Sequence, residues 1–224
     1  MEISATTVNV LRNFAGINSN IVIKPGNKLM TISEAKNILA EATVPEEFSS
    51  QVGIYDLQEF LNVLGLVDKP RVRFEEMYMN IGGISGREVV KYYYADVDML
   101  TSPSKPIVMP EPDVWFTLDE STLSGLKRAS AVFGHGQLAI EPSDGCIKLS
   151  VVDPENATAN EYSIDVDGGY NSSDFKFMLN ITNLRMVPDT YDVKISKQLI
   201  SQFTNESGNL NYWVALEKSS TYGE

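Results

Sequence analysis

Two stretches of this chain can be laid over one another. NIVIKPGNKLMTI (Asn20–Ile32) and QLAIEPSDGCIKLSV (Gln137–Val151) both run apolar-x-apolar, a charged residue, a proline, a glycine-containing turn and a second strand pattern, with Pro142 standing where Pro25 stands. A match in order and chemistry at this separation is an internal repeat of domain size, so the chain is built from two similar units. The segment between them, Asp96 to Pro112 (DVDMLTSPSKPIVMPEP), carries Pro103, Pro106, Pro110 and Pro112. Each proline fixes its own φ and removes a backbone donor, so neither a helix nor a central strand is expected to run through it. It should be an extended tether. Met99, Leu100, Ile107, Val108 and Met109 give it apolar surface that lies against a domain or a partner, or packs on its own neighbours. The expected boundaries are residues 1–100, a linker 101–112, and residues 113–224.

Hydrophobic periodicity places the elements. Ser4 to Ile17 reads as an amphipathic helix with Val8, Leu11 and Phe14 or Ala15 inward and Asn9, Arg12, Asn13 and Gly16 outward. Pro25-Gly26-Asn27 is expected to join two short strands in a tight hairpin. A strand near Asn37 to Thr43 follows. Asp56 is a good N-cap for a helix with Leu57, Phe60, Leu61 and Leu64 inward and Gln58, Glu59 and Asn62 outward. RVRFEE, YMNIGG and REVVKYYYADV read as strands, rich in β-branched and aromatic residues. In the second half Val114 to Leu118 is a strand, and Asp119 caps a helix with Leu123, Leu126, Ala129 and Phe133 inward and Ser124, Lys127 and Arg128 outward. NEYSIDV and FKFMLNI are strands, Ile181 to Val187 is a short helix carrying Arg185 and stopped by Pro188, and YDVKIS, ISQF and NYWVAL end the chain in β structure. Each half is thus two helices against antiparallel sheet, an α+β plan made twice.

The chain holds 18 Lys and Arg against 30 Asp and Glu, a net charge of −12. That balance argues against a binder that grips nucleic acid by overall charge, but not against a local cationic surface. No apolar run is long enough to cross a bilayer. The opening MEISATTVNV lacks a basic region before an apolar block, so nothing directs export and a reducing cytoplasm is the expected compartment.

Catalytic constellations are lacking. His135, the only histidine, lies between two glycines and reads as a turn residue. Cys146, in CIKLSVV, reads as a buried structural thiol. Asp165-Val166-Asp167-Gly168 starts like a calcium loop, but the full spacing and distal glutamate are missing, so a solvated strand end is expected. Gly82-Gly83 and Gly86 are not followed by Lys-Ser or Lys-Thr, so no phosphate-cradling loop forms. Asn156-Ala157-Thr158 matches a glycosylation site that has no meaning in a cytoplasmic chain. Met77, Met79 and Tyr92 to Tyr94 read as core and sheet-surface residues. The chain is expected to be no enzyme and to take no cofactor or metal.

Four strings in order, LRNFAGINSNIVIK (Leu11–Lys24), IYDLQEFLNVLGLV (Ile54–Val67), PSKPIVMP and NYWVALE, carry a whole-length resemblance to the DNA polymerase sliding clamps of T-even-type bacteriophages. The resemblance implies the DNA clamp fold: two similar domains, each with two helices packed on antiparallel β-sheet, assembled as a ring around duplex DNA with helices lining the hole. A ring of six domains needs three copies, a head-to-tail homotrimer presenting twelve helices. Arg12, Lys127, Arg128 and Arg185 are then the DNA-facing cations, making weak, sequence-independent phosphate contacts that permit sliding. Clamps of this type often carry more lysine on the first helix than the single Arg12 here.

The resemblance also implies that the polymerase hangs on by a C-terminal peptide docked in an apolar pocket near the linker. Leu100, Ile107, Val108 and Met109 are its candidates, with Tyr212, Val214 and Leu216 as floor. An ATP-dependent clamp loader and late-transcription factors are further implied partners, in the cytoplasm of an infected bacterial host, with no membrane role. Two rivals stand beside this reading: a non-enzymatic β-rich phage structural subunit, and a carbohydrate-binding module suggested by Trp115, Trp213 and the tyrosines.

Overall fold

Each α-helix starts where a short polar side chain accepts a hydrogen bond from a backbone N–H three residues on, as N-capping requires. Ser4 Oγ accepts from Thr7 N (3.2 Å) at α1 (Ala5–Ala15), Asp56 Oδ1 from Glu59 N (2.8 Å) at α2 (Leu57–Leu64), and Asp119 Oδ1 from Thr122 N (2.8 Å) at α3 (Glu120–Phe133). The computed structural model describes residues 1–84, 86–105, 107–156 and 158–223; Pro106 of the hinge and Ala157 of the Asn-x-Thr match lie outside them. The chain divides into two compact units, Met1–Pro106 and Ile107–Glu224.

In the first unit the strands are β1 (Ile21–Ile23), β2 (Gly26–Ile32), β3 (Ile38–Phe48), β4 (Val52–Ile54), β5 (Arg71–Phe74), β6 (Tyr78–Gly82) and β7 (Val89–Tyr93). β2 pairs with β3, β1 with β4, and β5, β6 and β7 form a three-stranded sheet in that order, all antiparallel. α1 packs on α2 and on β3. The α2 stripe is the expected one: Leu57, Phe60, Leu61 and Leu64 are all buried, each worth about 1.5–3 kcal/mol in water-excluded apolar area. The α1 stripe is shifted. Thr7, Val10, Leu11 and Phe14 are buried while Val8 is only half-buried, because Thr7 Oγ1 donates to the buried carboxylate of Glu46 on β3 and turns that face inward.

The expected hairpin at Pro25-Gly26-Asn27 is corrected. β1 ladders with β4 and β2 with β3, with a register shift between Gly26 and Lys28. A type I′ hairpin built on Gly26 and Asn27 needs positive φ angles at both, and here Gly26 has one (113°) while Asn27 does not. The repeat in the second unit does have them: Asp144 (φ 37°) and Gly145 (φ 87°) join β9 (Gln137–Ser143) to β10 (Cys146–Val152) with Ser143 opposite Cys146. Cys146 itself sits half-buried at that turn as a free thiol, not in the core as expected.

The second unit adds β8 (Val114–Leu118), β11 (Tyr162–Val166), β12 (Gly168–Tyr170), β13 (Phe175–Asn180), β14 (Tyr191–Ser196), β15 (Ile200–Asn205), β16 (Leu210–Ala215) and β17 (Thr221–Tyr222). β11, β10, β9, β13 and β17 pair in that order, and β12, β8, β14, β15 and β16 in another run, all antiparallel. α3 packs on β10 and β11 and buries Thr122, Leu123, Leu126 and Ala129, leaving Phe133 half-buried. Gly134, left-handed at φ 76°, ends it.

The helix expected over Ile181–Val187 is a single 3-10 turn, Ile181–Asn183, so three α-helices stand among the described residues and a trimer would present nine of them where the sequence predicts twelve. Its cause lies in two buried tyrosines. Tyr191 Oη donates to the Val187 carbonyl (2.5 Å), and Val187 N donates to Tyr212 Oη (3.2 Å). Both backbone groups of Val187 are thereby satisfied outside a helix. Burial raises both phenols, Tyr212 to about 12, so these hydroxyls stay protonated and the loop stays pinned.

Candidate nucleic-acid interface

On α1 the buried stripe leaves Arg12 exposed, its Nη1 donating to Asn9 Oδ1 at 2.9 Å. Arg12 lines a groove with Val8 and Asn9 of its own helix, Leu61 and Leu64 of α2, and Lys69. Lys69 is exposed and held at φ 48°, a left-handed conformation uncommon outside glycine. Sequence reasoning passed over it because it lies in the loop after α2, where no periodicity assigns it a face; only the structure sets it beside Arg12.

On α3, Arg128 is exposed and Lys127 half-buried. Lost hydration lowers the Lys127 ammonium below its ordinary value, and the Arg128 guanidinium beside it in sequence is a permanent charge. Both line a shallow apolar groove of about 310 Å³ with Glu120, Leu123, Ser124, Ala131, Met186 and Pro188. Arg185 precedes Met186 in the tyrosine-pinned loop. It is exposed, and its Nε donates to the Thr182 carbonyl at 3.2 Å. The structure thus sets Lys127 and Arg128 in one groove whose other wall is the loop bearing Arg185, and sets Arg12 on a separate helix of the first unit. Such cations can meet phosphate oxygens, Lys127 as a point charge and the arginines as forked donors, and contacts to phosphate carry no sequence information.

The expected peptide-pocket residues separate. Leu100 is buried within the first unit, where a Cβ on Gly53 would come within 3.0 Å of its Cδ1. Val108 is 83% exposed, and Ile107 and Met109 are half-exposed. Tyr212 and Val214 are fully buried and Leu216 nearly so, placing them beneath the surface. His135 is a turn residue whose Nε2 meets the Asn160 carbonyl at 2.9 Å. Among the described residues no group of three or more His, Cys, Asp or Glu could hold a metal, and no helix is long and apolar enough to cross a membrane.

Solved structures share this architecture. The PCNA2-PCNA3 complex from Sulfolobus tokodaii aligns at a TM-score of 0.67 and 13% identity, covering 94% of this chain and 95% of that one. The Helicobacter pylori beta clamp bound to a DNA ligase peptide aligns at 0.65 and 14%, covering 98% of this chain and 66% of that one. The fold is that of the DNA clamps. Residues 4–105 match the family "DNA polymerase processivity factor" and residues 116–218 the family "gp45 sliding clamp, C terminal". The chain is 30% identical to the sliding clamp of Enterobacteria phage T4 over 228 residues, covering 99% of each chain. It is 29% identical to that of Vibrio phage KVP40 over 222 residues, covering 97% of this chain and 99% of the other. It belongs to the phage sliding clamps, the processivity factors of DNA polymerase.

Proposed function

We propose that this clamp encircles duplex DNA as a head-to-tail homotrimer and tethers the replicative polymerase for processive synthesis. Its two clamp domains, residues 1–100 and 113–224, are joined by the linker 101–112. The observation that carries the reading is the placement of its helix cations. On a chain of net charge −12, Arg12 and Arg128 stand on the exposed faces of α1 and α3, with Lys127 half-buried beside Arg128 and Arg185 on the adjoining loop. Three copies supply twelve such charges around a hole, enough for sequence-blind phosphate contact. The acidic remainder discourages DNA from binding elsewhere. Holding is topological, so these contacts can be weak enough to slide. The ring acts in the cytoplasm of the infected host, without cofactor or catalytic group. An ATP-dependent loader opens it, and late-transcription factors use it as a second client.

The polymerase's C-terminal peptide docks on the linker residues Ile107, Val108 and Met109, the members of the candidate set that reach solvent. Tyr212, Val214 and Leu216 act from beneath as rigid support. A ligase peptide bound to the Helicobacter pylori clamp supports this mode. Replacing Ile107 and Met109 together by Ser is expected to weaken peptide affinity by about tenfold or more, from about 0.8 kcal/mol per lost buried methylene, while the assembly keeps its size. Fluorescence anisotropy of the labelled peptide checks it; unchanged affinity moves the pocket elsewhere. The function itself is tested by polymerase product length on a primed circular template, which should rise sharply when clamp and loader are added.

A further inference from the structure

Several cations of the first unit are already engaged. Lys28 meets Glu41 at 2.8 Å, Arg71 meets Glu2 at 3.7 Å, Arg73 meets Glu75 at 2.9 Å, and the Lys91 ammonium lies 3.9 Å from the centre of the Tyr78 ring. Arg12 and Lys69 differ. Among the described residues neither is ion-paired to a carboxylate, and both border one groove of about 460 Å³ between α1 and the loop after α2.

The groove is built to favour an anion. Its floor is apolar and buried, formed by Leu61, Leu64 and Val67, and Asn9, Arg12 and Lys69 stand exposed around it. Low-dielectric walls beneath charge of one sign focus the field on a counter-ion. Glu2 lines the groove too, but its carboxylate is held by Arg71.

Both cations are positioned by the surrounding chain. Arg12 Nη1 donates to Asn9 Oδ1, three residues back on the same outward row of α1. Lys69 precedes Pro70, a place where the proline ring favours extended backbone, yet its φ is 48°. Such a conformation persists only where its surroundings impose it. Here Ile3 N donates to the Pro70 carbonyl at 3.0 Å and Val72 N to the Met1 carbonyl at 2.7 Å. The chain just beyond Lys69 is thereby laced to the residues that lead into α1, which fixes Lys69 beside the helix that carries Arg12.

We infer that Lys69 contacts DNA phosphate, making with Arg12 a two-cation cleft in which a loop residue and a helix residue grip neighbouring phosphates of the duplex. This rests on the ring reading above and adds to it a contact that no helix supplies. The first unit, otherwise represented by Arg12 alone, gains a second point of attachment. An ammonium meets phosphate as a point charge and a guanidinium as a fork, and neither contact carries sequence information, so the cleft is compatible with sliding.

Fluorescence anisotropy of a short labelled duplex, titrated with the full chain from about 0.05 M to about 0.2 M NaCl, tests it. Lys69→Asn is the informative change, because asparagine accepts a left-handed backbone more readily than lysine and carries no charge. It is expected to weaken binding and to lower the slope of log affinity against log salt by about 0.9 for each copy whose Lys69 meets a phosphate. Lys69→Gly, which suits the same φ with no side chain, should give the same slope as Lys69→Asn, and Lys69→Arg should keep that of the wild type. Arg71→Gln, two residues on, removes a cation that Glu2 already holds, and should also keep the wild-type slope. Light scattering confirms that each variant assembles as the wild type does. Neutral variants at Lys69 with the wild-type slope, or an Arg71→Gln slope that falls as far as theirs, overturn the cleft while leaving the ring standing. A wild type that is monomeric overturns the ring reading and the cleft with it.

Discussion

With Lys127 and Arg128 both changed to Glu, the clamp should assemble normally yet lose most of its value to the polymerase. On the proposed trimer the double change would remove six cations and add six anions on the face assigned to the duplex. Each phosphate contact contributes about 0.9 to the slope of log affinity against log salt, so loading efficiency and product length should fall by about tenfold or more, most severely at moderate ionic strength. Arg128→Glu alone should account for the larger share of the loss, because Arg128 is exposed and Lys127 half-buried. Product length on a primed circular template, read beside light scattering, separates the causes. A shortened product with an intact trimer places these residues against DNA, and an unchanged product removes them from the interface.

The second large effect falls on stability. Glu46 of β3 is buried, and its two carboxylate oxygens accept from Ser4 N and Thr7 Oγ1 at the start of α1. Burial alone would raise this carboxyl, but the hydrogen bonds from Thr7 and Ser4 outweigh it and hold the group below its ordinary value of 4.5. Glu46→Ala leaves the buried Thr7 hydroxyl and the part-buried Ser4 N–H without their carboxylate acceptor, and hydrogen bonds to charged groups are worth about 1.5–3 kcal/mol, so a loss of about 2–4 kcal/mol is expected. The pH dependence follows from the sign of the shift. The folded state binds its proton more weakly than the unfolded chain, so the contribution is complete above about pH 4.5 and is lost as pH falls through the lower folded value. Urea melts of wild type and Glu46→Gln should differ at pH 7 and converge under acid; a gap that is constant with pH would show that the carboxylate charge plays no part.

Much of this architecture was legible because the residues that build it act locally. Asp56 and Asp119 announce their helices through side-chain geometry, and the Leu57, Phe60, Leu61, Leu64 stripe has the helical period, so both survive intact in the structure. The misreadings arise where a distant residue decides. Thr7 turns inward to meet Glu46, 39 positions away. Val187 stays out of a helix because Tyr191 and Tyr212 satisfy its backbone. β1 leaves β2 for β4, which lies about thirty residues further on. The cations were legible as residues on outward faces, and Arg12 and Arg128 are indeed exposed. Lys69 was not, since a loop residue has no period to reveal its side. The linker divides for the same reason: Val108 reaches solvent while Leu100 is claimed by Gly53 and its neighbours.

Retention on DNA of defined topology tests the central claim most directly. After loading, the protein should stay on nicked circular DNA through a high-salt wash and should leave within moments once the circle is cut, because a closed ring slides off a free end. Retention that ignores the cut, or that vanishes in salt on intact circles as fast as on linear DNA, would mean that the chain holds DNA by ordinary surface contact and does not encircle it.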